Sequence, residues 1–200
     1  MANLYSESDY WTKKAFKEGY PARSVYKLEE INKKFSLFTL SAHILDLGAA
    51  PGSWTSFLLK NLNKNATIVS VDLKPLDDKI KDERLTFIQG DMLDKNVIAK
   101  IEEKSPFDAV ICDVAPYTTG NKALDVARQN DLAFMAKDYA KKMLKEGGAF
   151  VTKIFQGQEM NLLVKELKNT FEIVRTFKPI ACRKNSIETY VIGKNFKAQI

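Results

Sequence analysis

The chain has 200 residues, 45% hydrophobic and 28% charged, enough for one α/β domain with a full core. Its formal charge of +6 suits an anionic partner such as RNA without requiring one. Two cysteines, Cys112 and Cys182, are too few for a disulfide framework or a thiolate zinc site, and the single histidine, His43, is read as structural, so no metal is expected. Met1 to Asp9 has neither the shape of a secretory signal nor that of an Arg-rich transit peptide. No apolar run approaches the roughly 20 residues of a membrane span. A soluble intracellular protein is expected, with no membrane partner.

Asp9 to Gly19 reads as a short helix rich in lysine and aromatics, broken by Pro21. Residues 23–35 read as a second helix with Ser24, Leu28, Ile31 and Phe35 on its apolar face and Lys27 near the edge of that face. Strands are expected at about 43–47, 67–72, 85–89, 107–113 and 148–154, with helices at about 53–63, 94–104 and 122–145. The pair Gly147-Gly148 is read as the stop of the long helix. A helix at 159–169 and strands at 171–177 and 186–193 close the chain. The last two strands have a connection too short for a helical crossover, so they should pair antiparallel. This alternation implies an α/β fold: a mostly parallel seven-stranded sheet with one antiparallel strand near the C-terminus and helices on both faces. With no linker, repeat or low-complexity tract, the chain is expected to be a single domain, 1–200, with an N-terminal helical extension over 1–40 and a catalytic core over 41–195.

The stretch Ile44-Leu45-Asp46-Leu47-Gly48-Ala49-Ala50-Pro51-Gly52-Ser53-Trp54 reads as a buried strand, a tight turn and a helix start, with Ser53 as the expected N-cap. The dinucleotide fingerprint needs a glycine at the second position of its turn, which is missing, and Pro51 removes a backbone donor. A cofactor without phosphates tolerates both losses, and S-adenosylmethionine is the common one. Asp72 ends the second strand 24 residues after Gly48, where a carboxylate accepts from ribose hydroxyls. Asp91 ends the third, where it could accept from an adenine amino group while Met92 offers apolar contact. The open sheet with one reversed strand resembles the Rossmann-like fold of S-adenosylmethionine-dependent methyltransferases.

The words D-L-G-A-A-P-G-S-W, D-x-A-P-x-x-x-G from Asp113 to Gly120, R-S-x-Y-K-L around Lys27, F-V-x-K-x-F-Q-G around Lys153 and S-x-E-x-Y around Glu188 resemble those of the FtsJ (RrmJ-type) RNA ribose 2′-O-methyltransferases over about residues 10 to 193. The one departure is Ser53, where the family often has glycine. The resemblance implies a catalytic tetrad of Lys27, Asp113, Lys153 and Glu188, and cofactor contacts from Gly52, Trp54, Asp72, Asp91 and Asp113, beside Asp46, Gly48 and Met92 from the reading of the strand ends. Lysine in an apolar strand is costly unless paired, which marks Lys153 as aimed at the site. It would be the general base, oriented by Asp113; Lys27 would stabilise the alkoxide and hold a phosphate; Glu188 would fix the lysines.

The aromatic-basic N-terminal helix, Arg23 and the segment from Lys178 to Lys184 are candidate RNA surfaces, with Tyr10, Trp11 or Tyr20 as stacking residues. The compact chain resembles the branch that modifies a uridine of large-subunit ribosomal RNA in an assembled particle, acting as a cytoplasmic monomer or, alternatively, in mitochondria. Relatives acting on tRNA anticodon loops or mRNA caps share the tetrad. Three other classes stay open: a methyltransferase for a small molecule or protein, a nicotinamide oxidoreductase, and a catalytically silent RNA-binding protein of the same fold.

Overall fold

The computed structural model describes residues 5–117 and 119–197. Thr118, in the polar loop after the fourth strand, lies outside the described residues, as do Met1 to Leu4 and residues 198–200. In chain order the elements are α1 (Tyr5–Lys17), α2 (Val25–Phe35), β1 (His43–Leu47), α3 (Ser53–Asn61), β2 (Thr67–Asp72), β3 (Leu85–Gln89), α4 (Lys95–Glu102), β4 (Phe107–Cys112), α5 (Lys122–Met143), β5 (Leu144–Phe155), α6 (Gln158–Thr170), β6 (Phe171–Phe177) and β7 (Glu188–Phe196).

One sheet runs β3-β2-β1-β4-β5-β7-β6. β1 to β5 are parallel, and β7 lies antiparallel between β5 and β6. β1 pairs with β2 on one side and β4 on the other, so the chain winds outward in both directions from β1. That reversal opens a crevice at the carboxyl ends of the central strands, where open α/β sheets bind ligands. Ile44, Ile68, Ala109 and Ile111 point to the side covered by α1, α2 and α3. Leu45, Val69, Val110 and Phe150 point to the side covered by α4, α5 and α6. Near-continuous apolar strands are what burial on both faces requires. Among the described residues no helix is long and apolar enough to cross a membrane.

The sequence reading holds for the order and type of every element and errs at some ends. α1 begins at Tyr5, earlier than Asp9, and β7 begins at Glu188, two residues after Ser186. Gly147-Gly148 does not cap α5. The helix ends at Met143, and Leu144 already pairs with Phe107 of β4. The register then shifts so that Ala149 faces Ala109, and Lys145 to Gly148 bulge out with Gly147 at φ +77°. The glycine serves a bulge that the Lys145–Asp108 ion pair (2.8 Å) pins down. Asp108 also accepts from the His43 backbone N–H at 2.6 Å. The His43 ring stacks on Phe107 and bonds to Thr67 Oγ1 and the Lys104 carbonyl, at 2.5 and 2.7 Å, so both its nitrogens are engaged in structure.

Gly193 sits mid-β7 beneath Phe171, whose ring atoms lie 2.8–2.9 Å from where a Cβ would stand. Gly193→Ala should therefore overpack this edge and lower stability by about 1–3 kcal/mol, read as a lower urea midpoint at unchanged m-value.

Candidate active site

β1 passes into α3 through a turn whose backbone donors are all engaged inside the protein. Gly48 and Ala49 N–H donate to the Val71 carbonyl at 2.9 and 3.1 Å, and Gly52 N–H donates to the Ala49 carbonyl at 2.6 Å. Ala50 N–H donates to Asp72 Oδ2 at 2.9 Å, and Pro51 has no N–H. A pyrophosphate needs such donors turned outward, so this turn does not fit a dinucleotide. Gly48 has φ +74° and Gly52 φ +106°. A Cβ would lie 2.6 Å from Val114 Cβ at the first and 2.2 Å from Ile80 Cδ1 at the second. Gly52, not Ser53, is the N-cap of α3; Ser53 is the first helical residue, and its buried Oγ has no hydrogen-bond partner among the described residues.

Carboxylates surround the turn. Asp72 Oδ1 accepts from Lys74 N–H at 2.9 Å. Asp91 is exposed, and its Oδ1 accepts from Leu93 N–H at 2.9 Å. Met92 is buried against α5, and its carbonyl accepts from the Tyr139 hydroxyl at 2.6 Å. Asp46 is buried beneath α3, where Thr55 Oγ1 donates to its Oδ2 at 2.7 Å. Burial, added to by Asp113 and Asp72 and only partly offset by Thr55, pushes the Asp46 carboxyl up to about 7. Trp54 is buried, and its indole N–H donates to the Ser24 carbonyl at 2.9 Å, fastening α3 to the start of α2. An edge lined by acids, with its turn donors engaged, fits a cationic, hydroxyl-bearing ligand without phosphates. S-adenosylmethionine, with its sulfonium, ammonium and ribose hydroxyls, is such a ligand.

Beyond the turn, two lysines and two carboxylates meet. Asp113 follows β4. Lys153 stands opposite Tyr190 across the β5–β7 pair, and Glu188, two residues before Tyr190, shares its face. α2 brings in Lys27. Lys153 Nζ donates to the Asp113 carbonyl at 2.9 Å and lies 3.2 Å from Asp113 Oδ1. Lys27 Nζ donates to Glu188 Oε2 at 3.1 Å. The Tyr190 hydroxyl donates to Asp113 Oδ1 at 2.7 Å, and Lys27 lies 5.8 Å from the Tyr190 ring centre. Burial alone would push the Asp113 carboxyl up, but Lys153, Lys27 and the Tyr190 bond hold it below the usual carboxylate range. Burial alone would push Lys27 down, but Asp113 and Glu188 hold it above the usual lysine range. Burial and then Glu188 push the nearby Cys182 thiol up to about 12. The lysines open onto a cleft of about 330 Å³, whose other cations are Arg23 and Arg183.

A family model for FtsJ-like methyltransferase matches residues 20–196. The chain belongs to this family. A ribosomal RNA large subunit methyltransferase E of Treponema denticola is 58% identical over 98% of both chains, and one of Treponema pallidum is 40% identical over 98% of this chain and 97% of its own. The crystal structure of a ribosomal RNA methyltransferase from Plasmodium falciparum superposes with a TM-score of 0.76 at 28% identity, over 90% of this chain and all of that one. As an FtsJ-like methyltransferase the chain takes S-adenosylmethionine as methyl donor.

This FtsJ-like chain brings Lys27, Asp113, Lys153 and Glu188 into one cluster, and Gly48, Gly52, Asp72 and Asp91 around one crevice. Trp54 and Asp46 lie beneath that crevice, and Met92 packs into the core beside it. Tyr190 is the group to which sequence reasoning gave no role, although it closes the S-x-E-x-Y word and alternates onto the face of Glu188. Gln129, in the cleft wall, left no signal at all. Among the stacking candidates, Tyr10 is exposed, Trp11 packs on Tyr26 at 4.9 Å, and Tyr20 lies under Lys60 at 3.9 Å.

A carboxyl near 7 in the fold and about 3.9 unfolded takes up its proton first in the native state. The stability that Asp46 contributes is thus complete below about pH 4 and is lost as pH rises to about 7. Asp46→Asn should remove this dependence. The difference in melting temperature between variant and wild type should move in the variant's favour from pH 4 to pH 7 and level off above.

Proposed function

We propose that this chain methylates a ribose 2′-hydroxyl in large-subunit ribosomal RNA, within an assembled or assembling particle. The observation that carries this reading is the paired set of Lys153 with Asp113 and Lys27 with Glu188 at the mouth of a cation-lined cleft, beside a turn unsuited to phosphates. The named relatives act on large-subunit ribosomal RNA and are bacterial, which favours that substrate and a cytoplasmic setting over a mitochondrial one. We take the acting unit to be a monomer.

In this reading Asp72 and Asp91 hold the ribose hydroxyls and the adenine amino group of the cofactor. Gly48 and Gly52 let the turn close against Val114 and Ile80, Trp54 and Met92 give the apolar ground, and Asp46 braces the turn from below. Bound S-adenosylmethionine supplies an electrophilic methyl carbon. Lys153 accepts the proton of the attacking hydroxyl. A neutral amine keeps two N–H groups, enough for the Asp113 carbonyl and Oδ1, and turns its lone pair to the cleft. The base must be uncharged to act. Lys27 stays an ammonium, stabilises the forming alkoxide and meets a phosphate. Glu188 fixes Lys27, Tyr190 fixes Asp113, and Arg23 with Arg183 neutralises the RNA backbone.

Transfer from labelled S-adenosylmethionine to unmodified large subunits, bulk tRNA and capped transcript tests this. Wild type should label the subunit on a ribose 2′-oxygen. Lys153→Ala removes the base and the ion-pair partner of Asp113; Lys153→Arg keeps an ion pair but cannot shed its proton. Both should lose about 10²–10⁴-fold in rate, with cofactor binding retained by calorimetry in the arginine variant. Label on tRNA or cap instead overturns the substrate, and a wild-type rate in Lys153→Arg overturns the base.

A further inference from the structure

The α5 side of the cleft holds a polar atom that the lysine site does not use. Gln129 is fully buried and lines the cleft. Its Nε2 donates to the Lys153 carbonyl at 3.3 Å. A carbonyl only accepts, so this contact assigns the nitrogen to that side and leaves the oxygen on the other. Gln129 Oε1 has no hydrogen-bond partner among the described residues, in a setting where nearly all polar atoms are paired. Its neighbour Asn130 shows the contrast: Oδ1 accepts from Phe155 N–H at 3.3 Å and Nδ2 donates to Glu159 at 3.5 Å.

Charge divides the cleft in the same sense. One turn earlier on α5, Asp125 also lines it, held ionised by the backbone and hydroxyl of Thr119, both 2.8 Å away. The α5 side therefore offers acceptors. The α2 side and the segment before β7 offer Lys27, Arg23 and Arg183. A nucleotide has matching polarity, since its phosphate seeks cations and the donor edge of its base seeks acceptors.

We propose that Gln129 Oε1 accepts a hydrogen bond from the ring N–H of the target base, making Gln129 a specificity residue for the nucleotide being methylated. Uracil and guanine carry a ring N–H on their pairing edge; cytosine and adenine carry a ring acceptor there, which would set lone pair against lone pair. A site built around a buried acceptor rejects a partner that lacks the donor more sharply than an apolar pocket rejects a size change. The same amide holds the backbone of Lys153, so base recognition and placement of the proton acceptor meet in one side chain. The inference rests on the RNA reading above.

Three measurements test it on full-length protein with unmodified large subunits: the identity of the methylated nucleotide, kcat/KM on native subunits, and kcat/KM on subunits carrying cytidine there. The methylated nucleotide should be a uridine or guanosine, and wild type should prefer it over cytidine by about a hundredfold. Gln129→Met, close in shape but without the amide, should lose about tenfold in kcat/KM on native subunits, mainly through KM. It should also reduce the preference over cytidine to about threefold. A mapped cytidine or adenosine overturns the proposal. So does a variant that keeps the wild-type preference at any rate, because the amide then serves only the Lys153 carbonyl. Absence of label on any subunit with wild type overturns the RNA reading and this inference together, whereas label with an unaltered preference overturns this inference alone.

Discussion

Two lysines lie among largely buried groups at the sheet edge, and they can stay there only because two carboxylates lie with them. Removing any one of Lys27, Asp113, Lys153 or Glu188 leaves a charge without its counterpart in a setting where that is costly. The constraint reaches well beyond the four residues. Lys153 and Glu188 stand in strands and Asp113 directly follows one, but Lys27 comes from α2, which no strand pairing holds. The protein ties that helix down several times. Arg23 donates to the Ala181 carbonyl at 2.7 Å, and Glu30 accepts from Ile180 and Ala181 N–H at 2.7 and 2.9 Å. Trp54 donates to Ser24, and Lys194 donates to the Phe35 carbonyl at 2.7 Å. These bonds read as the structural cost of placing one ammonium from outside the sheet.

The neighbouring turn obeys a different constraint, the accounting of backbone donors. Because Gly48, Ala49, Ala50 and Gly52 all donate inward, the turn presents no anion nest, and in the proposed reading selection among cofactors passes to the acids around it. The reversal of strand order at β1 then sets the crevice for the cofactor next to the strands that carry Asp113 and Lys153. In the proposed reading, topology thereby brings the donor and acceptor of the methyl group together.

How much of this was legible in the chain follows from range. Strand and helix order could be read because apolar periodicity is local, and the antiparallel closure because a connection of about ten residues admits no crossover helix. The tetrad could not be assembled from spacing: Lys27 and Glu188 are 161 residues apart, and only likeness to a family joined them. Ser53 read as a cap because serine caps helices by propensity, but the turn needed a left-handed residue at that place and Gly52 took it. Gly147-Gly148 read as a helix stop because glycine usually is one, whereas the pairing of Leu144 with Phe107 moved it into a bulge. The burial of Asp46 and the roles of Tyr190 and Gln129 depend on which distant groups they face, and no pattern within the sequence carries that.

The closed pairing of the four charged groups also bears on how far the site can be felt from outside. A buried set of two cations and two anions has little net field, so it draws no polyanion from a distance. Attraction has to come from the unpaired excess of lysine and arginine at the rim, of which Arg183 and Lys184 are exposed members. Mobile ions screen exposed charges over about 8–10 Å and reach buried pairs far less. In the proposed reading, ionic strength therefore governs how often RNA arrives and how long it stays, while the paired groups inside work at a tempo that salt does not set.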